Sequence, residues 1–270
     1  KTMIFMRESG KKAIFLSIIN RVCGLCHCHR ARTYPTEFCP RRWLRLWFGL
    51  IPMWFAIMMT EVWECTDMNG WIVYPQSNVQ TVANLLSQGH VVAMPTDTVY
   101  GLGVRADCPA AIEAVYRYKK RPIHKPLVWQ YGLDHVFSQS FMWTSWALRL
   151  AKAFWPGPLT LVLRWKKQNR TQAVRVSSHP FIQKLMSLCS FPIAMPSANV
   201  SGQTAARSVH EVMQGFSSPS FPIVCDGDVR ACKDASTIVD ASRPEGLCIL
   251  RKGQIDKQEL VSVVGHDVWI

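Results

Sequence analysis

The stretch Met94-Pro95-Thr96-Asp97-Thr98-Val99-Tyr100-Gly101-Leu102-Gly103 begins at the last residue of an apolar run, residues 91–94. That run, Val-Val-Ala-Met, has the length and composition of a short buried strand. Pro95 interrupts it, and small hydroxyl-bearing residues and two glycines follow, which lets the backbone and short side chains approach a small ligand closely. The stretch therefore predicts a strand over residues 91–95 that leads into a ligand-binding loop.

Cationic residues follow at the end of the next predicted helix. Residues 112, 115, 116 and 119 share one face at helical spacing, so Lys119 continues an apolar stripe, where a charge is costly unless it is paired. One interpretation is a lysine that extends to solvent at a helix C-terminus. The other includes Arg121 and Lys125, which Pro122 and Pro126 hold in a short loop. Three cations beside a hydroxyl-rich loop suit a triphosphate.

Two further clusters of short polar residues follow apolar strands or open them. Ser197 and Asn199 come just after the strand 192–195, at an edge where α/β sheets bind ligands. Taken without the other motifs, an ordinary turn whose side chains bond to their own backbone explains them better. Ser236 and Thr237 open a later strand and have the same two interpretations. Arg175 and Arg251 each lie in an apolar strand, and an isolated arginine there is usually solvated.

Strands and helices alternate along the chain, which predicts an α/β fold with a mixed sheet packed with helices. Ser77 or Asn78 is expected to cap a first helix that stops at Gly89, and Asp107 a second one. The remaining strands are predicted over 126–130, 159–165, 173–177, 192–195, 222–225, 236–240 and 247–251. The remaining helices are predicted over 144–154, 180–189, 207–214 and 256–264.

The chain is basic, with 31 Lys and Arg against 18 Asp and Glu in 270 residues. Residues 1–67 carry 10 basic and 5 acidic residues and the remainder carries 21 and 13, so the excess is spread along the chain. Such a balance favours an anionic partner such as a nucleotide, RNA or acidic lipid, or a solvated basic surface. Scattered cysteines in the second part of the chain indicate reduced thiols and a cytoplasmic protein.

Residues 1–67 are rich in Cys, Arg and Trp and have little periodicity. Cys23, Cys26, His29 and Cys39 could hold zinc, and Cys23 to His27 matches the spelling of a haem-attachment motif, but a second C-x-x-C is missing. The apolar segment 44–59 is shorter than the ~20 residues that cross a bilayer, which leaves a membrane-surface or anchor role as an alternative. The sequence begins at Lys1 rather than Met, so we expect its N-terminus to be incomplete or processed. From their composition we expect residues 1–67 to be a poorly ordered or non-native extension, with Met68 as a candidate natural start.

The order of the motifs resembles the YrdC/TsaC family of threonylcarbamoyl-AMP synthases, from about Asn78 to about Ile255. The resemblance rests on PTDTVYGLG, Lys119-x-Arg121-Pro122, Trp155-Pro156-Gly157-Pro158-Leu159-Thr160, Ala173-Val174-Arg175, Ser197-x-Asn199, Ser236-Thr237-Ile238-Val239-Asp240 and Leu250-Arg251-Lys252-Gly253. It implies a YrdC-like single domain over 68–270, with a twisted mixed sheet and helices around a concave ligand pocket. It is closest to the short form, without the extra C-terminal domain.

The resemblance also implies an activity. Members of the family combine L-threonine, bicarbonate and ATP into threonylcarbamoyl-AMP and pyrophosphate, and partner proteins transfer the threonylcarbamoyl group to tRNA. This chemistry needs positioning and charge neutralisation more than a protein nucleophile. We expect Mg²⁺ to accompany ATP without a protein metal-ligand motif, and a membrane role is not expected.

The resemblance implies the following site residues by motif position. Threonine contacts would be Thr96, Gln130, Arg175, Ser197 and Ser236. ATP contacts would be Lys119, Arg121, Lys125, Thr171, Asn199, Arg207 and Arg251, with Lys119 and Arg121 as the catalytic cations. Many relatives have His in place of Gln130 and Asn in place of Lys125, and Lys233-Asp234-Ala235 replaces a usual Gly-x-Glu.

Two alternatives remain from the sequence. The first is a module of the same fold that binds double-stranded RNA or tRNA directly, without synthase activity. The second is a carbamoyl-transfer domain of the kind found in hydrogenase-maturation proteins, although the zinc-finger and acylphosphatase-like modules that usually accompany it are not found in this sequence.

Overall fold

A computed structural model describes residues 65–66, 70–139, 141–216, 221–225 and 234–270, all of which belong to one compact unit. The cysteine set Cys23, Cys26, His29 and Cys39, the apolar segment 44–59 and Lys233 lie outside the described residues. Within the described part, no helix is both long enough and apolar enough to span a bilayer.

The described residues form twelve strands and seven α-helices. The strands are β1 (Cys65–Thr66), β2 (Ile72–Pro75), β3 (Val92–Met94), β4 (Gly101–Arg105), β5 (Trp129–Gln130), β6 (Phe141–Met142), β7 (Leu159–Trp165), β8 (Thr171–Arg175), β9 (Ile193–Ala194), β10 (Ile223–Cys225), β11 (Thr237–Asp240) and β12 (Cys248–Arg251). The helices are α1 (Val79–Ser87), α2 (Pro109–Lys119), α3 (Leu133–Val136), α4 (Ser145–Phe154), α5 (Pro180–Leu188), α6 (Val209–Gly215) and α7 (Lys257–Val264).

The strands make one mixed sheet in the order β1-β2-β10-β3-β4-β9-β5-β8-β7-β11-β12, and β6 pairs with β7 beside this path. The pairs β2–β10, β10–β3, β5–β8 and β7–β11 are parallel. The other pairs are antiparallel. The predicted α/β class, with a mixed sheet and packed helices, is confirmed.

Apolar helix faces cover the sheet in three clusters. In one of them Val82 and Leu86 of α1 pack with Ile182 and Leu185 of α5, all fully buried. The second cluster joins α4 and α7 to β7 and β8, and the third contains α2 and α6. Burying each such Val, Leu or Ile side chain is worth about 1.5–3 kcal/mol, so these faces hold the sheet that carries the site.

The prediction of a loop through Gly101 and Gly103 was wrong, because both lie in β4, which pairs with β3. Strand propensities disfavour glycine, so the pattern pointed away from a strand. Packing requires glycine here: a Cβ on Gly103 would come 2.1 Å from Met94 Cε and 3.2 Å from Ile193 Cγ2. The ligand-facing loop is therefore shorter than expected and ends at Tyr100.

The two predicted helix caps also differ from the structure. Asn78 occupies the N-cap position of α1, but its side chain makes no capping hydrogen bond. The N-cap of α2 is Cys108 rather than Asp107. The Asp107 carboxylate instead accepts a hydrogen bond from Arg105, with Nη2 to Oδ2 at 2.9 Å, so an ion pair has taken the place of the cap.

Candidate active site

Three neighbouring strands place polar side chains in one row. Gln130 of β5 pairs with Arg175 of β8, and Arg175 pairs with Thr160 of β7. One pleat further along, Ala173 pairs with Val162. Because side chains alternate between the two faces of a strand, a polar row and an apolar row lie side by side. Both rows line one cavity of about 770 Å³.

The loop between β3 and β4 lines the same cavity. Thr96 is only 4% exposed, and its Oγ1 accepts hydrogen bonds from the N–H groups of Thr98 (3.1 Å) and Val99 (3.2 Å). Its hydroxyl also lies 2.7 Å from the Val99 carbonyl oxygen, as a donor. A threonine hydroxyl that bonds its own backbone in this way fixes a turn, so the loop is held in shape before any ligand arrives.

Arg175 is buried and is oriented by three different partners. Its Nη2 lies 2.7 Å from Asp97 Oδ1, its Nη1 lies 2.8 Å from Thr98 Oγ1, and its Nε lies 3.2 Å from the Gly157 carbonyl oxygen. A guanidinium has five N–H donors, so two remain for a ligand in the cavity that Arg175 lines. The expectation of a solvated strand arginine was wrong for Arg175.

Asp97 supplies the counter-charge to Arg175. Burial raises the pKa of the Asp97 carboxyl, but the Arg175 charge and the hydrogen bonds from Ser177 and Arg175 together outweigh it, so the pKa is lowered. The carboxylate is therefore ionised at neutral pH, and the pair holds the guanidinium in one orientation.

The cationic loop after α2 is folded on itself. Arg121 donates from Nε to the Lys125 carbonyl oxygen (3.1 Å) and from Nη2 to the Pro126 carbonyl oxygen (2.9 Å). Tyr116 Oη donates to the Lys125 oxygen as well, at 2.9 Å. Lys120, with a φ of 48°, turns the chain at the helix end. Arg121 and Lys125 both line the cavity, which brings two positive charges to its wall.

Lys119 is only 1% exposed and lies behind the cavity wall rather than among its lining residues. Its ammonium donates to the Ser197 and Asn199 carbonyl oxygens and to Asn199 Oδ1. Burial, and to a lesser degree the charge of Arg121, lowers the pKa of Lys119 to about 7. The three acceptor oxygens around it favour the charged ammonium.

Ser236 completes the polar row on the side of β11. Its Oγ lies 2.8 Å from Thr160 Oγ1, and Arg251 Nη2 donates to the Ser236 carbonyl oxygen (2.9 Å) and hydroxyl oxygen (3.0 Å). Gln130 lies at the other end of the row, where its Oε1 is buried and has no hydrogen-bond partner among the described residues. An acceptor in that position is available to a ligand N–H or O–H group.

Gly253 holds the Ser236 segment in place. A Cβ on Gly253 would meet the Ala235 carbonyl oxygen at 2.3 Å, Ser236 C at 2.5 Å and Thr237 N at 2.5 Å. These are backbone atoms that cannot rotate away, so Gly253→Ala should destabilise the protein by about 1–3 kcal/mol through overpacking. Denaturant titration measures this change. Gly215→Ala, which adds a Cβ where nothing lies within 4 Å, is the matched control, and equal free energies of unfolding would contradict the account.

The structure brings nine of the twelve predicted site residues to one cavity. They are Thr96, Arg121, Lys125, Gln130, Arg175, Ser197, Asn199, Ser236 and Arg251. Lys119 lies behind them. Thr171 lines a separate cleft with Arg164 and Asp240, and Arg207 lines another with Glu211. Thr171 is two residues before Ala173 on β8, so its side chain lies on the same face of the sheet as Ala173, further from the centre of the cavity.

Sequence reasoning missed Asp97, Thr98 and Thr160 as site residues. Asp97 and Thr98 lie inside the quoted stretch, and two hydroxyls flanking a carboxylate next to a strand end were a signal that could have been used. Nothing in the local sequence connects Asp97 to Arg175 and Ser177, because the pair forms across the folded sheet.

The chain is similar to proteins of one family along most of the described part. Residues 84–253 match the model of the Sua5/YciO/YrdC family, which carries the description "Telomere recombination". The chain is 34% identical to the threonylcarbamoyl-AMP synthase of Pyrococcus abyssi, over 70% of this chain and 57% of that protein. It is 35% identical to that of Vibrio vulnificus, over 66% of this chain and 99% of that protein.

Solved structures give the same result. The crystal structure of P. abyssi Sua5 complexed with L-threonine superposes with a TM-score of 0.67 at 31% identity, covering 74% of this chain and 62% of that one. E. coli YciO, with a TM-score of 0.63 at 20% identity over 72% of this chain and all of that one, shares the fold. Since the family model spans residues 84–253 of 270, the chain belongs to the Sua5/YciO/YrdC family.

Proposed function

We propose that this chain is an L-threonylcarbamoyladenylate synthase, a nucleotidyltransferase that converts L-threonine, bicarbonate and ATP into threonylcarbamoyl-AMP and pyrophosphate. The observation that carries the proposal is the convergence of an oriented arginine, Arg175, and two loop cations, Arg121 and Lys125, on one cavity. Relatives named threonylcarbamoyl-AMP synthase, and a homologous structure complexed with L-threonine, support it.

The polar row suits an amino acid. The two remaining N–H donors of Arg175 would receive the threonine carboxylate, because a guanidinium binds carboxylates with a planar fork. The unpartnered Oε1 of Gln130 would accept a hydrogen bond from the threonine amine or hydroxyl. Thr96, Ser197 and Ser236 supply further short hydroxyls around the same space.

The other cations suit the nucleotide. Arg121, Lys125 and Arg251 would contact the phosphates. Asn199 would contact ATP beside them by exchanging one of its side-chain hydrogen bonds, since its amide is fully paired within the protein. Thr171 and Arg207 are proposed as outer ATP contacts, each from a cleft outside the main cavity. Positive charge around the triphosphate stabilises the charge that develops as pyrophosphate leaves.

The reaction needs no protein nucleophile. Bicarbonate takes up a proton and dissociates into carbon dioxide and water. The threonine amine then adds to the carbon dioxide and loses a proton, which gives a carbamate. A carbamate oxygen then attacks the α-phosphorus of ATP, and the bond to the bridging oxygen breaks as pyrophosphate leaves. The fixed side chains hold the carbamate and the α-phosphate in contact, which supplies the proximity that this step requires.

Mg²⁺ is proposed to arrive with ATP. None of the described residues that line the cavity is an Asp or a Glu, and the nearby Asp97 carboxylate is engaged by Arg175 and Ser177. A wall of hydroxyls, amides and cations fits a metal that keeps its waters and binds phosphate oxygens. The metal would neutralise phosphate charge, while Arg121 and Lys125 contact the oxygens that remain.

We further propose that the product serves tRNA threonylcarbamoyladenosine formation in the cytoplasm, through partner proteins that transfer the threonylcarbamoyl group. Residues 68–270 would form the catalytic domain, and 1–67 an extension to it. Strand β1 adds Cys65 and Thr66 to the edge of the sheet by pairing with β2, so these two residues are part of the sheet.

The experiment is a pyrophosphate-release assay on the full chain and on a shortened chain that starts at Met68. We expect release only when ATP, bicarbonate and L-threonine are all present. Serine should be a weaker substrate, because one missing methyl group costs about 1–3 kcal/mol of discrimination. The shortened chain should remain active, since every cavity residue lies after Met68. Release without threonine would count against the proposal.

A further inference from the structure

Lys119 is a buried cation that the proposed chemistry does not use directly. It lies at the C-terminal end of α2, on the same face as Ala111 and Val115, which are also buried. An ammonium group in such a place is costly unless its protons are hydrogen-bonded. The interpretation of Lys119 as a lysine that extends to solvent therefore does not hold, and its charge must be stabilised by groups within the protein.

All three ammonium protons of Lys119 have partners within the protein. Nζ donates to the Ser197 carbonyl oxygen, to the Asn199 carbonyl oxygen at 2.7 Å and to Asn199 Oδ1 at 3.1 Å. The Lys119 main chain also takes part, because the Ser201 N–H donates to the Lys119 carbonyl oxygen at 2.7 Å. A lysine offers three donors and no acceptor, so no proton of Nζ is left for a phosphate oxygen.

These bonds determine how Ser197 and Asn199 face the cavity. Asn199 Oδ1 accepts from Lys119 and also from Ser197 Oγ at 2.6 Å. Asn199 Nδ2 donates to the Val200 carbonyl oxygen (3.0 Å) and the Gln203 carbonyl oxygen (2.6 Å). The Ser197 proton therefore points to Asn199, which leaves the hydroxyl lone pairs to accept from a ligand.

We propose that Lys119 is a positioning residue, which orients Ser197 and Asn199 toward the substrates and does not itself bind the nucleotide. The inference rests on the proposed function in so far as Ser197 and Asn199 contact threonine and ATP. It distinguishes Lys119 from Arg121, which lines the cavity and donates its own side-chain hydrogen bonds to Lys125 and Pro126.

A double-mutant cycle tests this role through catalysis. Lys119→Met and Asn199→Ala should each lower kcat/KM for ATP by about 30-fold, because each removes a hydrogen bond that involves a charge. If Lys119 acts through Asn199, the double variant should be no more than about 3-fold worse than the poorer single variant. The matched cycle of Arg121→Ala with Asn199→Ala should give multiplied losses. Multiplied losses in the Lys119 cycle would overturn the proposal.

Hydrogen exchange tests the same role without catalysis. Lys119→Met should speed amide exchange in residues 196–203 and leave residues 121–126 unchanged. Unchanged exchange over 196–203 would overturn the proposal. If wild type shows no threonine-dependent pyrophosphate release, the proposed function has failed, yet the exchange result still stands on its own. If Lys119→Met does not fold, Lys119→Gln, which keeps two donors, replaces it in both experiments.

Discussion

Arg175→Ala is expected to abolish threonine-dependent pyrophosphate release almost completely. The change removes the two donors that would hold the threonine carboxylate. Hydrogen bonds to charged groups are worth about 1.5–3 kcal/mol each, so kcat/KM for threonine should fall about 1,000-fold. Steady-state kinetics with varied threonine measure the loss, and a threonine KM within about 3-fold of wild type would contradict the assigned role.

The same change also removes the partner of a buried charge. The Asp97 side chain is 11% exposed and pairs with Arg175 at 2.7 Å. Leaving one charge of a buried pair alone costs about 3–5 kcal/mol, so Arg175→Ala should lower the free energy of unfolding by that amount. Arg175→Ala combined with Asp97→Ala should regain part of this stability and none of the activity, which separates the two effects.

A control for Arg175 exists on the surface. Arg105 pairs with Asp107 in an exposed position, and exposed ion pairs contribute little to stability. Arg105→Ala should therefore leave kcat/KM unchanged. It should lower the free energy of unfolding only slightly, through the loss of a contact in which the guanidinium lies 4.5 Å from the centre of the Phe191 ring. Equal losses of kcat/KM in Arg105→Ala and Arg175→Ala would mean that the loss of a positive charge explains the result, and not the orientation of the Arg175 guanidinium.

Arg121→Ala is expected to produce the second-largest loss, with kcat/KM for ATP reduced about 100-fold because a charge-assisted contact to phosphate disappears. Stability should change little, since the Arg121 bonds are to carbonyl oxygens of an exposed loop. Arg117→Ala removes an equal charge from the exposed side of α2, so it is the matched control, with wild-type kinetics expected.

Arg121→Ala also addresses the RNA-binding alternative. RNA affinity carried mainly by phosphate contacts should weaken steeply with salt, and an Arg→Ala change should reduce it by a similar factor for every RNA sequence. If the chain is a synthase, Arg121→Ala should cause a large loss of adenylate formation with a modest loss of RNA affinity. Comparable losses of both, or equal effects of Arg117→Ala and Arg121→Ala on RNA, would favour the binding module.

Much of the fold was predictable because local pattern and packing agree. The strand predicted over 159–165 matches β7, and the helix predicted over 180–189 matches α5 to within one residue. The strands β1, β2, β4 and β6 and the short helix α3 were missed. The two glycines of β4 are typical of a loop. In the fold, however, the side chains of Met94 and Ile193 pack where a Cβ on Gly103 would lie. This requirement comes from tertiary packing, so local propensity could not predict it.

The site was less predictable, because its geometry depends on partners that are distant in the sequence. Asp97 and Arg175 are 78 residues apart, and Lys119 and Asn199 are 80 apart. Periodicity placed Lys119 on the buried face of its helix, and this prediction is confirmed. Its partners could not be predicted from the pattern, since two of them are carbonyl oxygens that every residue carries.

The most direct test of the central claim is to detect the product itself. The 270-residue chain incubated with ATP, L-threonine and ¹³C-labelled bicarbonate should give a compound whose mass equals AMP plus a threonylcarbamoyl group, with one ¹³C in the carbamoyl carbon. Arg175→Ala should give none. If pyrophosphate forms while no labelled carbon joins AMP to threonine, the cavity does not couple the amino acid to the nucleotide and the account is contradicted.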